Sequence, residues 1–182
     1  FLRWNRGRGI TFHMITDLDV ELPPDLQEIQ FVRVPAGALG EGFSPKLHID
    51  SLAEARQTLF IDADCLCLGP LDRVFETFAG RAVSVVGRTI STGRWWGDID
   101  ALCARFGLSE LPHFNGGIYY VEPSPEASAL YAKAREIEQQ YDDLGLLRLR
   151  GRPNDEIILS LAMALAGMKP VPDDGSILGV FN

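Results

Sequence analysis

The sequence contains few cysteines, and their spacing does not suggest a metal-binding module. The three thiols are Cys65, Cys67 and Cys103. This number is odd, and no paired Cys/His spacing of the kind found in structural zinc sites accompanies them. We therefore expect Cys65 and Cys67 to pack in the core as small apolar residues, with reduced thiols as in a cytosolic protein.

Long apolar runs and a visible leader are also missing. The sequence has no stretch of about 18 or more apolar residues, the length that a membrane-spanning helix requires. No basic segment followed by apolar and small residues opens the chain, so the start does not look like a signal peptide. These absences predict a cytoplasmic protein without a transmembrane segment.

Basic residues are outnumbered and hardly clustered. Lysine and arginine total 17 against 25 aspartates and glutamates, which gives a formal net charge of −8. Arg3, Arg6 and Arg8 form a local group of cations near the start of the sequence. Nucleic acid is therefore not an expected partner. An acidic protein that handles a phosphorylated substrate would need a metal ion or a few well-placed cations.

Size and composition fit one globular domain. The 182 residues are 46% hydrophobic and 23% charged, which is ordinary for a globular chain with a sizeable core. The sequence shows no internal repeat and no low-complexity segment. We predict a single domain over residues 1–182.

Segments with strand and helix patterns alternate along the chain. Apolar, β-branched runs predict strands at 10–16, 30–34, 59–61, 82–86, within 114–122 and at 168–171. Capping residues and apolar periodicity predict helices at 45–55, 71–78, 98–106, 125–142 and 153–166. This alternation predicts an α/β sandwich with a mostly parallel sheet. Ligands bind such sheets at the carboxyl ends of strands, where Asp17, Asp62, Asp64 and the Gly87-Arg88 pair are expected.

Two carboxylates follow the predicted strand 59–61. Asp62 and Asp64 point to the same side if the backbone stays extended through Ala63, with Cα atoms roughly 6.5 Å apart. This arrangement suits one hard cation such as Mg²⁺ or Mn²⁺, whose remaining ligands include substrate phosphate oxygens. The alternative is a strand end that carries two solvated acids.

Three segments together resemble a known enzyme family. They are F-S-P-K-L-H-I-D-S-L at 43–52, T-L-F-I-D-A-D-C-L-C-L-G-P-L-D-R-V-F at 58–75 and H-F-N-G-G-I-Y-Y-V-E-P-S at 113–124. In this order they resemble the family-8 glycosyltransferases, the group that contains glycogenin and the bacterial lipopolysaccharide galactosyltransferases. The segment 62–64 matches the D-x-D motif of that family, and 114–117 is similar to its F-N-S-G. The N-D-E at 154–156 is similar to its D-Q helix start, with Glu156 in place of glutamine. The resemblance covers roughly residues 10 to 170.

The resemblance implies a fold and a reaction. The fold would be GT-A, the nucleotide-diphospho-sugar transferase form of the α/β/α sandwich. The reaction would be a retaining transfer of a sugar from a nucleotide-diphosphate donor, usually UDP-linked, to a hydroxyl on a carbohydrate or protein acceptor. Asp62 and Asp64 would hold Mn²⁺ or Mg²⁺ against the diphosphate.

The resemblance also assigns roles to other residues. It places Lys46 near the donor phosphates or sugar and Asp155 beside the reacting carbon, as the catalytic pair. Without it, Lys46 reads as a surface lysine and Asp155 as an acid at a helix N-terminus. Further residues would bind the donor, namely Asn115, Gly116, Gly117, Asn154 and Glu156. Trp95 and Trp96 flank glycines and would either stack on a sugar or pack in the core.

The chain departs from the family pattern in three places. The family's first strand would precede Phe1, its C-terminal metal-binding histidine has no counterpart after His113, and Gly87-Arg88 replaces an expected acid. We therefore expect either that the chain is a piece of a longer protein whose first strand lies upstream, or that its metal site is completed differently. Arg88 is our candidate for a cation that contacts the diphosphate. The alternative function is a non-catalytic binding or scaffold module that has lost part of its donor and metal site.

Overall fold

The computed structural model describes residues 1–179, so the last three residues of the predicted domain 1–182 lie outside it. The strands in this range are β1 His13–Thr16, β2 Gln30–Arg33, β3 Thr58–Ile61, β4 Val83–Ser84, β5 Val86–Ile90, β6 Leu111–Phe114, β7 Ile118–Val121 and β8 Val171–Pro172. The α-helices are α1 Leu2–Asn5, α2 Ile49–Leu52, α3 Asp72–Phe78, α4 Ile99–Phe106, α5 Pro125–Gln139 and α6 Asp155–Leu165. Two 3-10 helices span Pro24–Leu26 and Ser44–His48.

The strands form three small sheets, and most of their pairings are antiparallel. Strands β1 and β2 pair in parallel with each other. In the second sheet, β3 and β4 both lie antiparallel to the central β7. In the third, β5 pairs antiparallel with β6 and parallel with β8. The predicted GT-A fold, an α/β/α sandwich with one mostly parallel sheet, is therefore wrong for residues 1–179.

Two predicted strands are each divided between two sheets. The segment predicted as one strand over 82–86 forms β4 and the start of β5, on either side of Val85. The segment 114–122 contains the end of β6, a turn at 115–117 and then β7. Alternating helix and strand patterns do not specify the direction of pairing, because hydrogen bonds between distant strands decide it. Arg88 consequently lies within β5 rather than after a strand.

Strand β7 separates two apolar cores. Because successive side chains of a strand point to opposite faces, Tyr119 packs into the larger core with α5 and α6. Tyr120 packs on the other side, where its ring stacks on Phe78 with centroids 5.2 Å apart. Both tyrosines are fully buried, so β7 is held from both faces.

Local capping signals fix the two long helices. Ser124 Oγ accepts a hydrogen bond from the Ala127 amide at the start of α5, and Pro125 occupies the first helical position. Asn154 Oδ1 accepts a hydrogen bond from the Ile157 amide at the start of α6. Both predicted helices are confirmed with shorter ends.

The predicted helix 45–55 is interrupted. The 3-10 helix Ser44–His48 leads directly into α2, and the helical segment stops at Leu52. Leu47 and Ile49 bury their side chains in the larger core, so the segment is anchored from within. This anchoring directs Lys46 toward the end of β3. Within residues 1–179, no helix is both long and apolar enough to cross a membrane.

Candidate functional site

Antiparallel pairing brings the end of β3 against the glycine turn that precedes β7. Ile61 lies opposite Ile118 in the register. The Asp62 amide then donates a hydrogen bond to the Gly117 carbonyl at 3.0 Å. Two motifs that are far apart in sequence, 62–64 and 115–117, therefore meet at one end of this sheet.

The backbone turns at Ala63 and does not stay extended as predicted. The Cys65 amide donates to the Asp62 carbonyl at 3.0 Å, which closes a turn over 62–65. The Asp64 side chain is exposed, whereas 29% of the Asp62 side chain is exposed. Burial raises the pKa of the Cys65 thiol, and the negative charges of Asp62 and Asp64 raise it further.

Lys46 is the cation that joins the predicted motifs. Its Nζ donates to Asp62 Oδ2 at 2.8 Å and to the Gly116 carbonyl at 2.9 Å. The same Nζ lies 3.5 Å from Asp155 Oδ2. Only 12% of the Lys46 side chain is exposed, so the ammonium relies on these oxygen atoms in place of water. The structure thus gathers Lys46, Asp62, Gly116 and Asp155 into one cluster, which we call the Lys46 cluster.

Asp155 is the buried end of this cluster. Its side chain is 3% exposed, and its Oδ2 accepts a hydrogen bond of 2.6 Å from the Tyr119 hydroxyl. Burial raises the pKa of Asp155, while the Lys46 charge and the Tyr119 hydrogen bond lower it in part. Burial, with the Asp155 charge next to it, also raises the pKa of Tyr119 well above its ordinary value. Asp155 is therefore positioned to hold Lys46 and Tyr119 rather than to contact a solvent-borne ligand.

Glu156 is held by a donor on each of its carboxylate oxygens. The Gly116 amide donates to Oε1 and the Trp96 indole N–H donates to Oε2, each at 2.8 Å. Burial raises the pKa of Glu156, and these two hydrogen bonds oppose that rise. The Trp96 backbone has a φ of 52°, a left-handed conformation that a bulky side chain adopts only when its surroundings require it. The carboxylate is therefore fixed in one orientation.

Gly116 allows the close approach on which the cluster depends. A Cβ atom at this position would lie 2.7 Å from Tyr119 Oη and 2.9 Å from Asp155 Oδ2. These atoms are the two ends of the hydrogen bond between Tyr119 and Asp155. Any side chain at residue 116 would therefore disturb that bond.

The remaining predicted residues occupy different surroundings. Asn115 is exposed, and its Oδ1 accepts a hydrogen bond from the Gly117 amide at 3.0 Å. Asn154 is buried as the cap of α6, and its backbone N–H donates to the Tyr141 hydroxyl. Its contacts are therefore structural. Arg88 is exposed on β5 opposite His113, away from the contacts of the Lys46 cluster. Asp17 follows β1 in a sheet that shares no hydrogen-bonded strand with the other two, so it does not join the strand-end acids as predicted.

In and next to the Lys46 cluster, the candidate metal ligands are the carboxylates of Asp62 and Asp64. Within residues 1–179, no group of three or more histidine, cysteine, aspartate or glutamate side chains is placed to hold a metal ion. Asp62 and Asp64 nevertheless supply oxygen ligands, and Mg²⁺ is commonly held by one or two carboxylates together with substrate phosphates and waters. The donor set therefore fits a hard cation that binds together with a phosphorylated substrate.

Two site residues were given no such role by the sequence. Tyr119 lies in the strand predicted within 114–122, and that prediction gives its hydroxyl no partner; a buried tyrosine hydroxyl generally needs one, and Asp155 supplies it. The sequence predicts stacking on a sugar or packing in the core for Trp96, but its contribution is the indole N–H that donates to Glu156. Neither contact has a signal in sequence spacing, because both join segments that are distant along the chain.

Comparison with protein-family models finds no match for this chain. Comparisons with curated proteins and with solved structures also find no match. The relation to the family-8 glycosyltransferases therefore stays a prediction that rests on the motifs, and the function has to be argued from the site itself.

Proposed function

We propose that this chain is a metal-dependent glycosyltransferase that moves a sugar from a nucleotide-diphosphate donor, with UDP-sugars as the first candidates, to a hydroxyl acceptor. A retaining stereochemical course is part of this proposal. The observation that carries it is the Lys46 cluster, in which a largely buried ammonium contacts Asp62, the Gly116 carbonyl and Asp155. A charged diphosphate requires cations, which here would be the Lys46 ammonium and a metal ion held by the carboxylates.

Each group has a defined part in this proposal. Asp62 and Asp64 would hold Mn²⁺ or Mg²⁺, which when bound supplies positive charge to the diphosphate leaving group. Lys46 orients Asp62 and adds a second positive charge near the same place. Asp155 pairs with Lys46 and accepts a hydrogen bond from Tyr119, so it positions Lys46 from the buried side of the cluster. The exposed Asn115 and the oriented Glu156 carboxylate are the polar groups available to the sugar.

The test is a ligand-dependent thermal shift. Manganese together with UDP should raise the Tm of the full chain, because a ligand that binds only the native state stabilises it, by about 2.7 kcal/mol at a hundredfold excess over Kd. Asp64→Asn should abolish the shift, whereas Asp19→Asn should retain it, because Asp19 is an exposed acid in the loop after β1 that pairs with Arg33 on β2. Release of UDP from UDP-glucose or UDP-galactose by the wild type, measured in parallel, should depend on manganese.

A second candidate is a non-catalytic binding module. It is favoured by the lack of a three-residue metal group within residues 1–179 and by the ion pair that already engages Asp62 with Lys46. This candidate predicts no thermal shift with manganese and UDP, GDP, ADP or CDP, and no release of nucleotide. That result would contradict the transferase proposal.

A further inference from the structure

A second feature lies next to the Lys46 cluster. A cavity of about 940 Å³ opens between β5, β6, the start of α6 and the segment 169–178 that contains β8, and its lining includes Asn115 and Glu156. Asp62, Asp64 and Lys46 are not part of this lining. The volume falls within the range of small-molecule pockets. We call it the β5–β6 cavity, and it meets the cluster only through Asn115 and Glu156.

One wall of the cavity is a fixed aromatic surface. The Trp95 ring lies against His113 with centroids 4.5 Å apart, and it meets the edge of Phe114 at 6.0 Å. Trp95 is half-buried and packs on the larger core. A ring held in this way loses little conformational entropy when a ligand covers its free face.

The charges on the cavity wall are mixed. Its lining carries two cationic side chains, Arg88 and Lys169, and three anionic ones, Glu110, Glu156 and Asp173. Lys169 is paired with Glu110 at 2.8 Å, and Arg88 has no salt bridge to a carboxylate of residues 1–179. An anionic ligand would meet Glu156 and Asp173, whereas a neutral ligand with several hydroxyls could donate to the acids and accept from Arg88.

His113 adds a neutral polar group to this wall. Burial lowers its pKa, and the positive charge of the neighbouring Arg88 lowers it further. At neutral pH the imidazole therefore has one donor and one acceptor nitrogen. An aromatic platform with donors and acceptors around it matches a sugar ring, which has apolar C–H faces and a hydroxyl edge.

We propose that the β5–β6 cavity binds a neutral sugar unit, which serves as the acceptor. The acceptor role rests on the proposed glycosyl transfer. In that step the acceptor hydroxyl oxygen forms a bond to the anomeric carbon on the same face from which the diphosphate oxygen leaves, so that configuration is retained as the bond from that carbon to the diphosphate oxygen breaks. The electron pair stays on the diphosphate, and the hydroxyl proton passes to the Glu156 carboxylate, which faces both the cavity and the cluster.

Saturation-transfer NMR on the full chain tests the cavity directly. The probes are maltose, lactose and cellobiose, with glucuronate as the acidic comparison. We expect a saturation-transfer signal for at least one of the disaccharides. Trp95→Ala should weaken the binding of that disaccharide about tenfold through loss of the stacking surface. The matched control is Trp4→Ala, because Trp4 is exposed and does not line the cavity.

Arg88→Ala is a second test of the same cavity, which is needed if Trp95→Ala disturbs folding. Arg88 is exposed, so its truncation leaves the core intact, and it should weaken the same disaccharide about three- to tenfold by removing a charged donor. Binding that survives both substitutions would place the sugar elsewhere and overturn the proposal. A saturation-transfer signal for none of the three disaccharides, or for glucuronate alone, would also overturn the proposal.

The manganese–UDP thermal shift separates this inference from the proposed function. Trp95→Ala and Arg88→Ala should keep the wild-type shift, because neither residue contacts the Lys46 cluster. A wild type that shows the shift but binds no disaccharide would refute the cavity proposal alone. A wild type that binds a disaccharide without the nucleotide shift would refute the transferase and leave a sugar-binding module.

Discussion

The N-terminal part of the molecule and the part around β7 and α6 differ sharply in how far their side chains are buried. Residues 6–46, all of which the structure describes, contain no buried side chain, and Met14 and Ile15 on β1 are 38% and 37% exposed. Around β7, in contrast, Tyr119, Tyr120 and Val121 are fully buried, and Asp155 on α6 is nearly so. Polar groups in the second region therefore depend on each other, whereas those in the first depend on water.

This difference bears on function. Parallel sheets are normally covered on both faces, and the β1–β2 pair is not, so its residues are held by few contacts. The Lys46 cluster lies where the protein can hold charges away from water and keep them oriented. Preorganised charges of this kind are typical of sites that stabilise developing charge.

The largest contrast should come from the same substitution on two strands. Ile118→Thr on β7 removes buried apolar contact and buries a hydroxyl, so it should lower the free energy of unfolding by about 3 kcal/mol. Ile15→Thr on β1 should change it by less than about 0.5 kcal/mol, since the side chain is exposed and threonine suits a strand. Urea denaturation of both variants measures the two values. Equal losses would mean that β1 is packed as tightly as β7.

Substitution of Gly116 in the cluster, compared with substitution of Gly69, sharpens the comparison. Gly116→Ala should cost about 2 kcal/mol in unfolding free energy, because its Cβ would lie within 3 Å of both Tyr119 Oη and Asp155 Oδ2. Gly69→Ala is the control, since a Cβ there meets nothing within 4 Å. The Gly116 variant should also lose the manganese–UDP thermal shift. Tolerance of alanine at 116 would show that the bond between Tyr119 and Asp155 is not a tight constraint.

The same contrast explains which parts of the molecule could be predicted. Helices α4 and α5 follow from adjacent residues, such as the Asp98 cap with Gly107 and the Ser124 cap with Pro125. The fold class could not be derived in this way, because it depends on whether β3 pairs with β7 and in which direction. The motifs did predict that Lys46, Asp62 and Asp155 meet. They could not predict that Asp155 is buried, or that the Glu156 carboxylate next to it lines the cavity.

The smallest effect should appear in the pH dependence of stability. Burial raises the pKa of Asp155 above its ordinary value of 3.8, so its contribution to stability is complete below that value and is lost as the pH rises through the pKa of the folded state. Asp155→Asn removes this loss, because an amide does not ionise, and its oxygen can still accept the Tyr119 hydrogen bond. Relative to the wild type, the variant should gain unfolding free energy from acid to neutral pH in urea titrations.

The exposed Asp142 is a control whose effect on the pH dependence of stability has the opposite sign. Its hydrogen bonds from Arg148 lower its pKa, so its contribution is present above the ordinary value and is lost as the pH falls through the lowered one. Asp142→Asn should therefore lose stability relative to the wild type at neutral pH, and by little, because water screens the pair. If Asp155→Asn followed the same direction as Asp142→Asn, the buried carboxylate would be stabilised by Lys46 and Tyr119 more than burial penalises it. The contrast between the two regions would then concern packing alone and not charge.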